Sequence, residues 1–296
     1  MSVPQRIAIT GASGLIGTAL VGHLKAEGHT VQRLVRRTPV GADEVQWDPQ
    51  TGFVDLEPLR GVDAIIHLAG VGVGDKRWNK KYKSEILNSR LLGTTAIAHA
   101  VAELKPQVFI SASAIGWYGE SGNRAVVETD RAGDDFLAAV CREWEGAADL
   151  AGDVRTVKIR TGLVLDPTGG ALGKMLPLFR LGLGGKLGNG KQWWSWITLH
   201  DQIRAIVFAL ENPISGPVNL TAPNPVTNQE FTAALARAMH RPALFPAPAI
   251  ALKIALGGFS SEILGSKRVI PHVLQEAGFT WDYPHISEAL AQLIED

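Results

Sequence analysis

The stretch RIAITGASGLIG, Arg6 to Gly17, decides how the rest of the chain is read. Arg6–Thr10 is a short β-like run. Gly11, Gly14 and Gly17 follow as Gly-x-x-Gly-x-x-Gly, and an apolar helical pattern runs from Leu15 to Glu27, with Leu15, Ile16, Ala19, Leu20 and Leu24 on one face. A strand, a glycine turn and a helix in that order predict a dinucleotide site. The first glycine lets the chain turn off the strand, the second lets backbone approach a pyrophosphate, and the third lets helix and strand pack closely. The helix start offers free N–H groups and the positive end of a dipole to phosphate. Gly11, Ser13, Gly14, Leu15, Ile16 and Gly17 are therefore the expected phosphate-binding residues. The competing reading is an ordinary βα turn with incidental glycines.

The next strand, Thr30–Val35, ends in Arg36 and Arg37. A site for NAD(H) places an acidic residue about 20 positions past the motif to hold the ribose 2′-hydroxyl. No Asp or Glu occurs between Glu27 and Asp43, and two arginines stand there instead. A guanidinium fork suits a 2′-phosphate, so the expected cofactor is NADP(H). A solvated basic pair is the alternative.

Composition narrows the function classes. The 296 residues are 46% hydrophobic and 20% charged, a globular balance with enough chain for a substantial core. Lys and Arg total 29 and Asp and Glu total 29, so the net charge is zero and no nucleic-acid partner is expected. The basic run KRWNKKYK, Lys76–Lys83, reads as a solvated helix face. Cys141 is the single cysteine, which excludes an internal disulfide, and the eight histidines show no ligand spacing, so no metal site is predicted. No signal peptide or apolar span is visible, so the expectation is a cytoplasmic protein without a membrane partner.

Strand and helix patterns alternate through the first half. Glu44–Trp47, Asp63–His67, Gln107–Ser111 and Val154–Arg160 read as strands. Helices are expected over Asn79–Leu104 and Asp134–Leu150. This alternation predicts an α/β fold with a doubly wound parallel sheet. After Asp166 the rhythm changes to a glycine-rich stretch, Pro167–Lys191, then Trp193, Trp194 and Trp196. His200–Leu210 returns to a helix. Thr227-Asn228-Gln229-Glu230 is a capping box for a helix to about Met239, and the Pro-rich Pro242–Pro248 precedes Ala249–Leu256. The expected division is a nucleotide-binding domain over 1–165, with a return segment near 197–220, and a smaller lobe over 166–296 that closes on the cofactor and binds substrate.

Four motifs carry a resemblance: TGASGLIG at Thr10–Gly17, HLAG at His67–Gly70, SASAIGWYG at Ser111–Gly119 and RTGLVL at Arg160–Leu165. The chain resembles the extended short-chain dehydrogenase/reductase superfamily, and within it the atypical "epimerase family" branch. That branch carries a C-terminal domain of unknown function, matched here by HRPALFPAPAIALKIALGG and SKRVIPHVLQEAGFTWDYP. The resemblance implies a Rossmann fold, NADP binding with Leu68, Ala69 and Gly70 at the cofactor, and a homodimer. It supplies no substrate.

In the wider superfamily a Tyr-x-x-x-Lys pair on the helix after the serine-bearing strand moves the proton. Ser113 matches the serine that polarises the substrate oxygen, but Cys141 stands at the tyrosine position and Glu145 at the lysine position. At i, i+4 they share a helix face. A carboxylate raises a neighbouring thiol's pKa, so Cys141 is a modest acid and Glu145 does no lysine-like work, though it can accept bonds from ribose hydroxyls. Cys141 is either a site residue or a buried small apolar one. Tyr118 is the other candidate acid, and it needs a nearby cation that the local sequence lacks; packing is its alternative role. Arg90, in SRLLGT, replaces an expected Asn and is a candidate anchor for a phosphate or carboxylate, or one half of an ion pair. Trp194 and Arg268 are substrate-lobe candidates, with tryptophan packing as the plainer alternative. His67 reads as structural. The leading function is an NADP(H)-dependent oxidoreductase or epimerase acting on a small carbonyl or nucleotide-sugar-like substrate. The alternative is a non-catalytic NADP(H)-binding sensor or regulator.

Overall fold

A computed structural model describes residues 3–295. Fourteen strands and ten helices follow in chain order. The first half holds β1 (Arg6–Thr10), α1 (Leu15–Ala26), β2 (Thr30–Val35), β3 (Glu44–Asp48), β4 (Phe53–Val54), β5 (Ala64–His67), α2 (Lys80–Leu104), β6 (Val108–Ala114), β7 (Ala125–Val126) and α3 (Phe136–Ala148). The second half holds β8 (Thr156–Thr161), β9 (Leu163–Asp166), α4 (Gly170–Arg180), β10 (Trp193–Trp194), β11 (Trp196–Thr198), α5 (Leu199–Glu211), β12 (Gly216–Leu220), β13 (Val226–Thr227), α6 (Asn228–Ala238), α7 (Ala249–Leu256), α8 (Ser260–Leu264), β14 (Arg268–Val269), α9 (His272–Glu276) and α10 (Ile286–Glu295).

Eight strands form one sheet in the order β12-β8-β6-β5-β1-β2-β3-β4. Every pairing is parallel except β3 with β4. The order reverses direction between β1 and β5, where a doubly wound sheet opens its ligand crevice. The sheet is the Rossmann type, with helices on both faces because its central strands are apolar on both sides: Ile7, Ala8 and Ile9 are all sealed. Leu20 and Leu24 of α1 and Ile203, Ile206 and Leu210 of α5 cover one face. Ile97 and Val101 of α2, and Ala148 at the end of α3, cover the other.

The second lobe has its own core. Leu172, Leu176 and Phe179 of α4 meet Phe231 and Leu235 of α6 and Leu290 of α10, with Trp196 sealed among them. The chain does not leave the first lobe for good at Asp166. β12 joins the main sheet beside β8, and Leu274 and Phe279 pack into the first core. Arg155 fixes that return: its guanidinium donates to the carbonyls of Ala209, Leu210, Asn212 and Ile214, which the end of α5 leaves without helical partners.

Local capping sets the helix starts. Asn79 accepts from the Tyr82 amide and Asp135 from the Ala138 amide, so both are caps outside their helices. The Thr227/Glu230 capping box is formed in both directions. The strand expected over Gln107–Ser111 is too short, because β6 runs on to Ala114 and carries Ser113 near its end. Among the described residues no helix is long and apolar enough to cross a membrane.

Candidate active site

The groove begins at the glycine turn. Gly11 adopts φ +70°, and a Cβ there would lie 2.8 Å from the Ala69 nitrogen, so the β1 and β5 turns touch backbone to backbone. A Cβ on Gly17 would lie 2.1 Å from the Gly11 carbonyl oxygen, which shows how tightly α1 sits under the turn. Gly14 is the N-cap of α1 and supplies no side-chain cap, and no acidic residue occupies the first turn. The free amides there meet the requirement of a phosphate. They open on a cavity of about 1340 Å³ lined by Gly11, Ser13, Gly14, Arg36, Arg37 and Leu68–Gly70 among others. Leu15 and Ile16 give the helix start its backbone; the Leu15 side chain turns away, against Gly169.

Arg36 and Arg37 diverge. Arg37 is clamped by Glu44, with Nη1 and Nη2 donating at 2.7 and 2.6 Å. That guanidinium, followed by the Val40 amide, holds the Glu44 carboxyl down at about 2. Arg33 is likewise engaged by Asp43 at 3.0 Å and Glu44 at 3.2 Å. Arg36 lies exposed on the groove and makes no ion pair among the described residues. Both acids that would compete with a 2′-phosphate are thus occupied by other arginines.

His67 closes the floor. Its Nδ1 lies 2.7 Å from Thr10 Oγ1, which already accepts from the Leu68 and Ala69 amides. Thr10 therefore donates to His67, and the ring carries its proton on Nε2. Burial drives its pKa down to about 3. A neutral, sealed ring beside Trp47 supports the β5 turn and moves no proton.

Beyond β6 lies a closed polar network. Ser113 Oγ donates to Glu145 Oε1 at 2.6 Å. Arg160 grips the same carboxylate from Nε at 2.8 Å and Nη2 at 2.9 Å, with both partners nearly sealed. Arg160 Nη1 donates to the Tyr118 hydroxyl at 3.1 Å, and that hydroxyl donates to Asn219 Oδ1 at 2.7 Å. Burial works against the Arg160 charge, but Glu145 outweighs it and the guanidinium holds its proton more tightly than in water. Burial also pushes the Tyr118 phenol well above its ordinary value, against the opposing pull of Arg160.

This geometry alters three sequence expectations. Tyr118 does have its cation, but its hydroxyl proton is committed to Asn219, which removes it as a free acid. Glu145 spends both oxygens on Ser113 and Arg160 rather than on a ribose. Ser113 directs its one proton into Glu145, so it can only accept, where a polarising donor was expected.

Cys141 lies next to this network, 2% exposed, with Sγ 3.6 Å from the Ala114 carbonyl. Burial, then the Glu145 carboxylate, push its thiol up to about 12, so it stays S–H. Arg90 of α2 packs near Cys141 against α3. Its Nη1 donates to the Val71 and Ile86 carbonyls and its guanidinium stacks 4.8 Å from the Trp144 ring. The structure does not bring Trp194 and Arg268 to this place. Trp194 packs edge-on against Phe231 in the second core, its size serving burial. Arg268 stacks 4.4 Å over Trp193 and donates to the Asn123 carbonyl.

Arg160, Asn219, Glu128 and Glu44 were not singled out from sequence. One signal existed for Arg160: a charged residue at a buried position of a central strand demands a partner. Nothing local announced that the partner would be Glu145. Among the described residues, His200, Asp201 and Asp282 form the one grouping with ligand-like spacing, and Arg204 already pairs with both aspartates.

Two family models match the chain. The NAD dependent epimerase/dehydratase family covers residues 7–138, and a domain of unknown function, DUF1731, covers residues 247–293. An epimerase family protein of Mycobacterium leprae is 46% identical over 96% of this chain and 94% of its own length. Among solved structures, a human epimerase family protein crystallised with NADPH superposes with a TM-score of 0.91 at 33% identity, over 98% of this chain and 99% of that one. A nucleoside-diphosphate sugar epimerase from Corynebacterium glutamicum gives 0.80 at 37% identity, over 99% of this chain and 58% of that one.

Proposed function

The chain belongs to the NAD dependent epimerase/dehydratase family, in its DUF1731-bearing branch, and from that premise we propose an NADP(H)-dependent oxidoreductase or epimerase-like enzyme for a small carbonyl or nucleotide-sugar-like substrate. The observation that carries the cofactor is the exposed Arg36 on a groove whose nearby acids are already bound to Arg33 and Arg37. The human relative solved with NADPH supports the same choice.

Gly11, Gly14 and the α1 amides would hold the pyrophosphate, with Arg36 on the 2′-phosphate and the Leu68–Gly70 turn along the ribose. When bound, the nicotinamide supplies hydride chemistry, and the protein's part is to position and to handle the proton. Ser113 accepts a hydrogen bond from a substrate hydroxyl and so fixes its orientation. Cys141 is the remaining proton-bearing group beside it. A thiol held up near 12 is a poor proton donor, so turnover is expected to be slow.

A second reading has its own support. Ser113, Tyr118, Glu145 and Arg160 satisfy one another, which suits a non-catalytic NADP(H) sensor. Reduced-nicotinamide absorbance followed against a panel of carbonyl compounds and nucleotide sugars separates the two. Turnover with any of them supports the enzyme; tight NADPH binding with none leaves the sensor. Binding of NADH as tight as NADPH contradicts both. The proposal also includes a cytoplasmic setting and a homodimer, the latter checked by light scattering.

A further inference from the structure

A cation inside a fold needs an anion or a full set of acceptors, because desolvating an unmatched charge is costly. Three other arginines packed into this fold meet that rule, while Arg268 keeps a buried Nε without a partner among the described residues. Arg160 has Glu145, Arg204 has Asp201 and Asp282, and Arg155 has four carbonyls. Arg90 does not. Only its Nη1 is bonded, to two backbone carbonyls that carry no net charge, and among the described residues no carboxylate pairs with it. Its Nε and Nη2 make no hydrogen bond to protein. Burial lowers its pKa, with Cys141 and Tyr82 pulling the other way.

Its placement is specific. The guanidinium packs over the Trp144 ring and lies beside Gly70, where a Cβ would come within 3.5 Å of Cζ. Gly70 lines the groove. In the sheet order β2-β1-β5-β6-β8, Arg36 stands at the end of β2, whereas Arg90 packs with α3 on the β5–β6 side, near Cys141. The proposed cofactor has its own phosphate donors at the α1 amides and Arg36, on the other side of β5.

We propose that Arg90 is the anchor for an anionic group of the substrate, a carboxylate or phosphate that seats on its free Nε–Nη2 edge beside Gly70. This rests on the NADP(H) enzyme reading above and narrows the substrate to a compact acid or phosphorylated compound whose hydroxyl donates to Ser113. A fork of two parallel N–H donors suits either group and discriminates against an uncharged analogue.

The test uses the full chain, isotope-labelled and saturated with NADP(H). The Arg90 Nε–H resonance is assigned by its loss in Arg90→Lys. Oxamate and inorganic phosphate are the anionic probes, and oxamide is the uncharged match for oxamate. The expected result is a saturable shift of that resonance with either anion and none with oxamide. Arg90→Gln should weaken anion binding by about 30-fold or more, as loss of a buried charge partner does, while NADPH affinity changes less than about threefold. A thermal melt with NADPH confirms that the variant is folded. Equal response to oxamate and oxamide overturns the proposal. So does a resonance that responds to NADPH alone and to no added anion, which assigns Arg90 to the cofactor's own phosphates. If wild-type protein binds no NADPH, the reading of the previous subsection falls and this one with it; if NADPH binds and no anion follows, this one falls alone.

Discussion

Two neighbouring arginines, alike in sequence, have unequal work. Arg37 is held by Glu44 while Arg36 faces the groove. Arg36→Ala should therefore narrow the preference for NADPH over NADH by about tenfold or more, the scale of a charge-assisted bond to phosphate. Arg37→Ala should change it less, because that side chain serves Glu44 first. Titrations with both cofactors decide it, and equal effects would contradict the division. His67 gives a pH signature. It is neutral in the fold down to about 3, whereas an unfolded histidine takes its proton near 6.5. Above about 6.5 neither state is protonated and stability is fully present. As pH falls below that, the unfolded chain binds a proton the fold refuses, and stability drops by about 1.4 kcal/mol per pH unit towards 3. Gln at this position accepts from Thr10 without titrating. Denaturant unfolding of His67→Gln between pH 6 and pH 4 should show a shallower loss than wild type by about that slope; parallel curves would refute the tautomer and burial argument.

At the scale of the element, α1 offers an internal control. Gly17→Ala forces a methyl to 2.1 Å from the Gly11 carbonyl, so the phosphate turn has to open. Gly22→Ala, on the same helix, meets nothing within 4 Å. The first should lower stability by about 1–3 kcal/mol through strain and weaken NADPH binding. The second should stabilise by up to about 1 kcal/mol from helix propensity and leave binding alone. Melting curves and cofactor titrations of both separate close packing from a generic glycine effect. These elements were legible in sequence because their signals are local. The glycine turn, the 3.6-residue stripe of α1 and the Thr227/Glu230 box each specify geometry within a few residues. Their ends were less legible: the helix expected over Asp134–Leu150 stops at Ala148, where a short turn over Asp149–Ala151 replaces it. What remained hidden is what the sheet brings together. Glu145 and Arg160 lie fifteen positions apart, and Tyr118 and Asn219 a hundred and one. No periodicity encodes such pairs, so sequence leaves Tyr118 as either a candidate acid or a packing residue and offers Glu145 to a ribose, and only the fold supplies their partners.

Across the whole molecule, that same network ties the lobes to each other. It runs from Ser113 on β6 through Glu145 on α3 and Arg160 on β8 to Tyr118 and Asn219 on β12, and Asn219 Nδ2 donates on to the Ile270 carbonyl in the C-terminal segment. Glu128 supports the same strand by accepting from the Asn219 and Val273 amides. A buried pair of this kind is weak evidence for stability as a pair, yet losing one member strands a charge in the core. Glu145→Gln leaves Arg160 without its anion, and Arg160→Met leaves Glu145 without its cation. Each single change should cost about 3–5 kcal/mol. The double variant should cost clearly less than the sum, because no uncompensated charge remains. Urea unfolding of the four proteins closes the cycle, and strict additivity would show that the two side chains act separately. NADPH binding measured on the same four adds the functional half. The groove's phosphate turn lies across β5 from the network, so affinity for NADPH should survive in every variant that folds. The same cycle would then separate the network, whose loss is read in stability, from the glycine turn and Arg36, whose loss is read in cofactor affinity.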